Sequence, residues 1–500
     1  MLNYIRNTNS VVLYWDLPEN YKKGDLYEVV LGDIVLGETS KCHFNIKELS
    51  KETQYDFSVY LKKENKNIIV GECRAVTLKE KRKLDITKAP YNAVGDGKTL
   101  NTKSIQKAID DCTKEDMVYI PEGDFMTGSL YLHSDMEIYI DKGGILHGTD
   151  VVSDYEPKIM SRFEGIELMS YAALLNIGEL DRGRIYETCK NVRISGEGTI
   201  CGGGRSLAQN VVEIEKVLMK DYMDSLGDKI KECETDITIP GRVRPRLINI
   251  SCAQNVVIQG LTLANGASWN VHMIYSKDIV TCLSTFRSEN VWNGDGWDPD
   301  SSKNCTLFGC EFFTGDDSVA IKSGKNPEGN IINIPCENIR VFDCLSHLGH
   351  GIAMGSEMSG GISDVKIWNC DLENSSHGIH IKGTEKRGGY IKNIDVRHVK
   401  TSRIEIHSVG YNDDGDTSGE VPVFLDCTFS DIKITGRFLA RNGCFMDCDA
   451  IEIEGFTKPG HYIENFKFKN VVIDNDIDSR KQTLSLQRCD GICFENVYCK

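Results

Sequence analysis

One short unit constrains this chain more than any other feature: an Asn or Asp, an apolar residue, any residue, then a second apolar residue. It stands at Asn191-Val-Arg-Ile, Asn255-Val-Val-Ile, Asp278-Ile-Val-Thr, Asn304-Cys-Thr-Leu and Asn338-Ile-Arg-Val, and again at Asp364-Val-Lys-Ile, Asn393-Ile-Asp-Val, Asp431-Ile-Lys-Ile and Asn470-Val-Val-Ile. From Asp278 to Asn393 the copies lie 26, 34, 26 and 29 residues apart, with no helical pattern of useful length between them. Strands that recur at such intervals without crossover helices describe a parallel β-helix, whose coils stack at roughly 4.8 Å. Equivalent side chains then form ladders, so the repeated Cys, Asn and Val are expected to line an interior column. Most of the nineteen cysteines are read this way, as buried thiols behaving like small apolar side chains. Their odd number and scattered placement fit neither a disulfide framework nor a zinc set.

The first eighty residues follow a different rhythm. Val11–Trp15, Tyr27–Leu31 and Tyr55–Tyr60 are short runs of strand-forming residues separated by turn signals, the pattern of a small β-sandwich. Trp15 and the later Leu…Tyr-x-Phe-x-Val stretch resemble a fibronectin type III module, expected over residues 1–80 as a packing or spacer unit. The charged run Lys79–Lys83 reads as a linker or a strand edge, and the solenoid is expected over 84–500. Within it, the Glu-, Lys-, Leu- and Met-rich stretch at about 206–235 reads as a helical insertion, which in solenoids maps to one face.

No run of about eighteen apolar residues exists, so no membrane span is expected. The opening Met1-Leu2-Asn3-Tyr4-Ile5-Arg6 lacks a secretory pattern, which with the thiols points to a cytoplasmic location. A net charge of −16 argues against nucleic acid as a partner. A polyanionic substrate would need a local basic lining.

The acids Asp295, Asp316 and Asp317 fall within Asn293–Asp317. Asp295 and Asp316 are 21 residues apart, His350 lies 34 beyond Asp316, and Lys382 lies 32 beyond His350. Each interval is about one coil, so the four positions are expected to stack on one face. Carboxylates brought together this way are the equipment of general acid/base work on glycosidic bonds. Neighbouring residues on a strand point to opposite faces, so Asp316 and Asp317 share a cleft only if the backbone bends, which Gly315 permits. The surrounding glycines are expected to let a sugar chain approach the backbone.

Four ordered motifs, Asn293-Gly294-Asp295, Gly315-Asp316-Asp317, Gly349-His350-Gly351 and His380-Ile381-Lys382, resemble those of the polygalacturonase family, glycoside hydrolase family 28. Ile194–Ile200, Arg244-Pro245-Arg246-Leu247 and Ala320–Gly324 are also similar, so the resemblance runs from about residue 84 to the end. It implies a right-handed parallel β-helix that hydrolyses pectin with inversion. By it, Asp316 is the general acid, Asp295 and Asp317 handle the attacking water, and His350 maintains the protonation of the acid. Asn293, Lys382, His380 and Tyr411 are then substrate-binding, with no cofactor and no metal. Arg244 and Arg246 are expected near the groove, easing the charge conflict with an acidic sugar. His380 departs from the pattern, standing where the family has an arginine able to grip a carboxylate with two prongs. That leaves a rhamnogalacturonan-type hydrolase of the same fold as the alternative to an exo-acting polygalacturonase, with a lyase or a non-catalytic carbohydrate-binding β-helix further off. Asp413-Asp414-Gly415-Asp416 is read as a solvated loop rather than a calcium site. The sequence does not fix an oligomeric state.

Overall fold

The computed structural model describes residues 2–64, 66–461, 463–474 and 483–500. The chain begins with two antiparallel sheets. One holds Leu2–Arg6, Val11–Trp15 and His43–Ile46; the other holds Ile34–Thr39, Tyr27–Leu31, Gln54–Leu61 and Ile68–Val76, in that order. Period-two alternation makes this work: in Gln54–Leu61, Phe57, Val59 and Leu61 turn inward beside Trp15 and Tyr27. The three-plus-four arrangement is that of a fibronectin type III-like sandwich. Its core does not end at its own surface, because the same apolar cluster takes in Cys282, Phe308, Phe342 and Trp368 from the solenoid wall. Tyr14 stacks on Phe308 at 4.9 Å, and the stack continues through Phe342 and Trp368 at 5.1 and 4.4 Å. His43 Nδ1 lies 2.8 Å from a carboxylate oxygen of Asp343. The module is docked, not tethered. The charged run that follows is a strand edge: Arg82–Asp85 pairs in parallel with Asp116–Ile120 as the first rung of the solenoid.

From Arg82 onward the chain is a parallel β-helix. Strands on two faces join into one sheet of 25, and a third face carries 11 strands, from Leu130–Leu132 to Leu484–Gln487. One interior ladder runs Val192, Val256, Ile279, Cys305, Ile339, Val365, Ile394, Cys427 in unbroken register. Cysteine takes an aliphatic place there, as expected. The asparagines behave differently from that expectation. Asn191, Asn255, Asp278, Asn304, Asn338, Asp364 and Asn393 all have φ between 53 and 59° and sit at an outer bend rather than in the interior. Short amide side chains tolerate this left-handed backbone, and they bond along the stack, Asn255 Nδ2 to Asn191 Oδ1 at 2.7 Å and Asn338 Nδ2 to Asn304 Oδ1 at 2.6 Å. Asp431 and Asn470 belong to the next bend of the coil, where Asn470 Nδ2 donates to Asp431 Oδ1 at 3.1 Å.

The helical insertion is Gly204–Leu218 and Lys220–Leu226 followed by a 3₁₀ turn, Gly227–Glu232. It leaves the solenoid after Thr199–Cys201 and returns at Ile248–Ser251. Leu207, Ala208, Val211 and Val212 bury one face. Its far end clasps the loop around residues 410–418. Lys229 pairs with Asp416 at 2.8 Å, Asn412 Oδ1 accepts from Glu234 N at 2.8 Å, and Asp413 N donates to Glu232 O at 3.1 Å. Among the described residues no helix is long and apolar enough to cross a membrane.

Candidate active site

The third face is the floor of the site. Its strands alternate strictly, so Trp297, Pro299, Val319, Ile321, Ile352, Met354, Ile379, Ile381, Ile404 and Ile406 point into the core. The residues between them point outward in two columns. The parallel register sets His272, Asp298, Ala320, Ala353, His380, Glu405 and Glu452 in the first column. The second runs Asp300, Lys322, Gly355, Lys382, His407 and Glu454. Ala320 and Ala353 leave the middle of the floor bare.

Asp295, Asp316, Asp317, His350 and His377 come from the turns that feed these strands, and the turns stack as the strands do. Gly296 N donates to Asp317 O at 2.9 Å, His350 N to Asp316 O at 2.9 Å and His377 N to His350 O at 3.1 Å. The one-coil intervals in the sequence are therefore successive rungs. The backbone bends at Gly315-Asp316, and both carboxylates turn to one side: His350 Nδ1 is 2.8 Å from Asp316 Oδ1 and 3.7 Å from Asp317 Oδ1. Two of the glycines have a packing role. A Cβ on Gly315 would lie 2.5 Å from Val291 O, and one on Gly349, at φ +120°, would lie 2.2 Å from Thr314 Oγ1. At these positions the missing Cβ lets rungs meet.

Two lysines organise the charge. Lys382 Nζ donates to Asp317 Oδ2 at 3.2 Å, and the Tyr411 hydroxyl faces the same ammonium. Lys322 Nζ stands 3.5 Å from Asp295 Oδ2, 3.7 Å from Glu357 Oε2 and 4.5 Å from the centre of the Trp269 ring. Burial pushes the Asp295 carboxyl far above the ordinary range, and the charges of Asp298 and Asp316 push the same way. Burial also raises Asp298, neither of whose oxygens has a hydrogen-bond partner among the described residues. Burial would raise Asp316 too, but His350, Lys382 and Lys322 outweigh it and hold that carboxyl below the usual carboxylate range. Burial pulls His350 down, and Asp316 more than reverses it, so His350 stays a cation to higher pH than a free imidazole.

All eight expected site residues lie in or beside this groove. Asn293, at φ 48°, accepts from Arg244 Nη2 at 2.7 Å. Arg244 is fully buried, bonded to the Gly241 and Trp292 carbonyls, and Arg246 packs against Phe163 and Trp269. Both support the wall instead of lining the groove. His380 lies on the floor, 2.7 Å from His407 between their Nε2 atoms. Asp414 is no solvated loop residue: it takes both terminal nitrogens of Arg242 at 2.9 Å and also meets Lys325. Asp298, Lys322, Glu357, His377, Glu405 and His407 were not expected. Arg441, on the turn between Arg437–Leu439 and Phe445–Asp447, reaches over to donate to Gly315 O. Glu234, at the end of the insertion, is raised by burial and then by the charge of Asp316. Two sets of donor atoms lie within 4.8 Å of one another and could hold a metal ion: Asp316, Asp317 and His350, and His377, His380 and Glu405.

A solenoid groove in which two rungs of carboxylates converge on a histidine and a lysine is the working face of a glycoside hydrolase. The chain belongs to glycosyl hydrolases family 28, whose model matches residues 135–437 of the 500. It is 28% identical over 431 residues to an exo-poly-alpha-D-galacturonosidase of Dickeya chrysanthemi, covering 81% of this chain and 70% of that one. It is 34% identical to a probable polygalacturonase of Vitis vinifera, over 61% of this chain and 58% of that one. A family 28 exopolygalacturonase from Yersinia enterocolitica shares the fold, with a TM-score of 0.83 over 99% of this chain and 96% of that one at 22% identity. A hyperthermoactive exopolygalacturonase from Thermotoga maritima gives a TM-score of 0.66 over 84% and 92%, at 27% identity.

Proposed function

We propose that this glycoside hydrolase cleaves α-galacturonosyl linkages of pectic oligosaccharides with inversion, working from a chain end. The observation that carries the reading is the convergence of Asp316 and Asp317 on His350 and Lys382, with Asp295 on the adjacent rung beside Lys322. Inversion needs an acid on one side of the bond and a base on the other, with room for water between them. Asp295, 3.5 Å from the Lys322 ammonium, is the carboxyl we place as the base. The proton for the leaving oxygen resides on the His350–Asp316 pair, whose 2.8 Å contact lets it pass to Asp316. A bound sugar that excludes water and engages Lys382 weakens the cationic hold on Asp316, raising it toward the protonated form an acid requires. Lys382, with Tyr411 beside it, is the carboxylate anchor.

Terminal action is supported by the clasp between the insertion and the 410–418 loop, which brings Glu234 into the field of Asp316 and Tyr411 beside Lys382. A time course on size-defined galacturonan tests it: small end products from the first minutes are expected, and an early ladder of internal sizes would refute it. Asp316→Asn should abolish turnover while sparing binding, and proton NMR of the first product should show the inverted anomer. The histidine at position 380 favours a second reading, a galacturonidase of rhamnogalacturonan fragments. Defined oligomers of both kinds, assayed side by side, separate the two. Imported short oligosaccharides and the buried thiols of the solenoid fit action in the cytoplasm, which cell fractionation checks.

A further inference from the structure

One end of the groove floor is built from imidazoles. His377 ends the turn before Gly378–Gly383, His380 is on that strand, and Glu405 and His407 lie on the next, with His380 opposite Glu405 in register. His377 Nδ1 makes a short contact with Glu405 Oε2, and the His377 and His380 rings stack at 4.7 Å, 18° apart. One donor atom from each of His377, His380 and Glu405 lies within 4.8 Å of the other two. His380 is only 4% exposed, yet its Nδ1 has no hydrogen-bond partner among the described residues. A buried ring in a purely structural network normally uses both nitrogens.

We propose that His377, His380 and Glu405, with His407 as a further donor, bind one late first-row divalent cation, Zn²⁺ being the best match. Imidazole nitrogens with one carboxylate are a borderline-soft donor set that suits zinc and not the oxygen cages of calcium or magnesium. Tetrahedral ligands at about 2.0–2.1 Å from the metal stand roughly 3.3 Å apart, so the short His377–Glu405 contact opens and the wider separations close by side-chain rotation. His377, on a turn and a third exposed, has that freedom. Arg403 Nη2 holds Glu405 Oε1 at 2.8 Å, orienting the carboxylate and leaving Oε2 for the ion. The ion would stand beside His350, whose ring meets His377 edge-on at 5.0 Å, with an open position toward the groove for an anionic sugar group. That last role rests on the galacturonate reading; the binding does not.

Equilibrium dialysis of the full chain against ZnCl₂, with bound metal measured directly, should find one tight equivalent per chain. Co²⁺ in its place should give visible d–d absorption without a thiolate charge-transfer band. His380→Ala and Glu405→Gln, each shown folded by its unfolding midpoint, should lower affinity at least tenfold. His347→Ala, altering a ring paired with Glu311 at 3.0 Å on another face, should leave it unchanged. His377→Gln, on the turn, serves if either floor variant fails to fold. No bound equivalent, an equivalent that survives these variants, or thiolate absorption from Cys444, Cys493 or Cys499, which are exposed, would overturn the site. Zinc binding that leaves the KM for trigalacturonate unchanged would overturn the anchoring role, independently of the outcome for Asp316→Asn.

Discussion

Lys322 is a buried cation between Asp295 and Glu357, and it had no place in the expected site. The alternation that exposed it was present in the sequence. In Trp297-Asp298-Pro299-Asp300 and Val319-Ala320-Ile321-Lys322 every second residue is apolar, so Asp298 and Lys322 must face outward. What the sequence alone could not supply was which outward residues share a rung, because loop lengths between rungs vary. Removing the cation strands the acids: Lys322→Met should cost about 3–5 kcal/mol at neutral pH. Asp295 and Asp298 already have folded-state values raised by burial, so the variant's deficit should shrink as falling pH protonates them and grow as pH rises. Urea denaturation of variant and parent at pH 4 and 7 gives the comparison. At His350 the sign is set by a raised imidazole: the cation that stores the proton persists above the ordinary value near 6.5 and is lost as pH rises further. The alkaline limb of kcat/KM for the parent should therefore lie above that value. His350→Asn should remove that limb and lower the rate roughly 10²-fold or more.

At the scale of elements, the insertion and the 410–418 loop form one unit, and Asp414 is its pin. Its carboxyl is held below the ordinary range, since Arg242 and Lys325 outweigh the effect of burial. Such a group contributes its full stability above the unfolded value near 3.8 and loses it progressively as pH falls from there through the lower folded-state value. Asp414→Asn should cost about 3 kcal/mol at pH 7 and progressively less as pH falls below that unfolded value, measured as the difference from the parent in guanidinium melts. The insertion itself was legible, beginning at Gly204 rather than 206, because an amphipathic period of 3.6 interrupts a rhythm of strands. The clasp was not legible, because it joins residues about 180 positions apart through ion pairs such as Lys229–Asp416. Three acids in four residues, Asp413 to Asp416, look like a solvated loop until their partners are placed.

For the whole molecule, the solenoid was readable from its repeat and the sandwich from its alternation, but not their union through Phe308, Phe342 and Trp368. Outward aromatics on a strand give no hint of which neighbour covers them. Phe308→Ala should remove about 3–5 kcal/mol from that junction. In calorimetry it should split a transition for the N-terminal strands from the unfolding of the solenoid, where the parent shows the two together. The outward columns also govern how this groove changes over time. Every wall residue is tied to a rung, and rungs are spaced by the interstrand distance of about 4.8 Å. The imidazole cluster can therefore be displaced relative to Asp316 only in whole steps, by gain or loss of a coil between them. Selection on such a groove acts on a quantised coordinate, with side-chain exchange supplying the fine adjustment within each step.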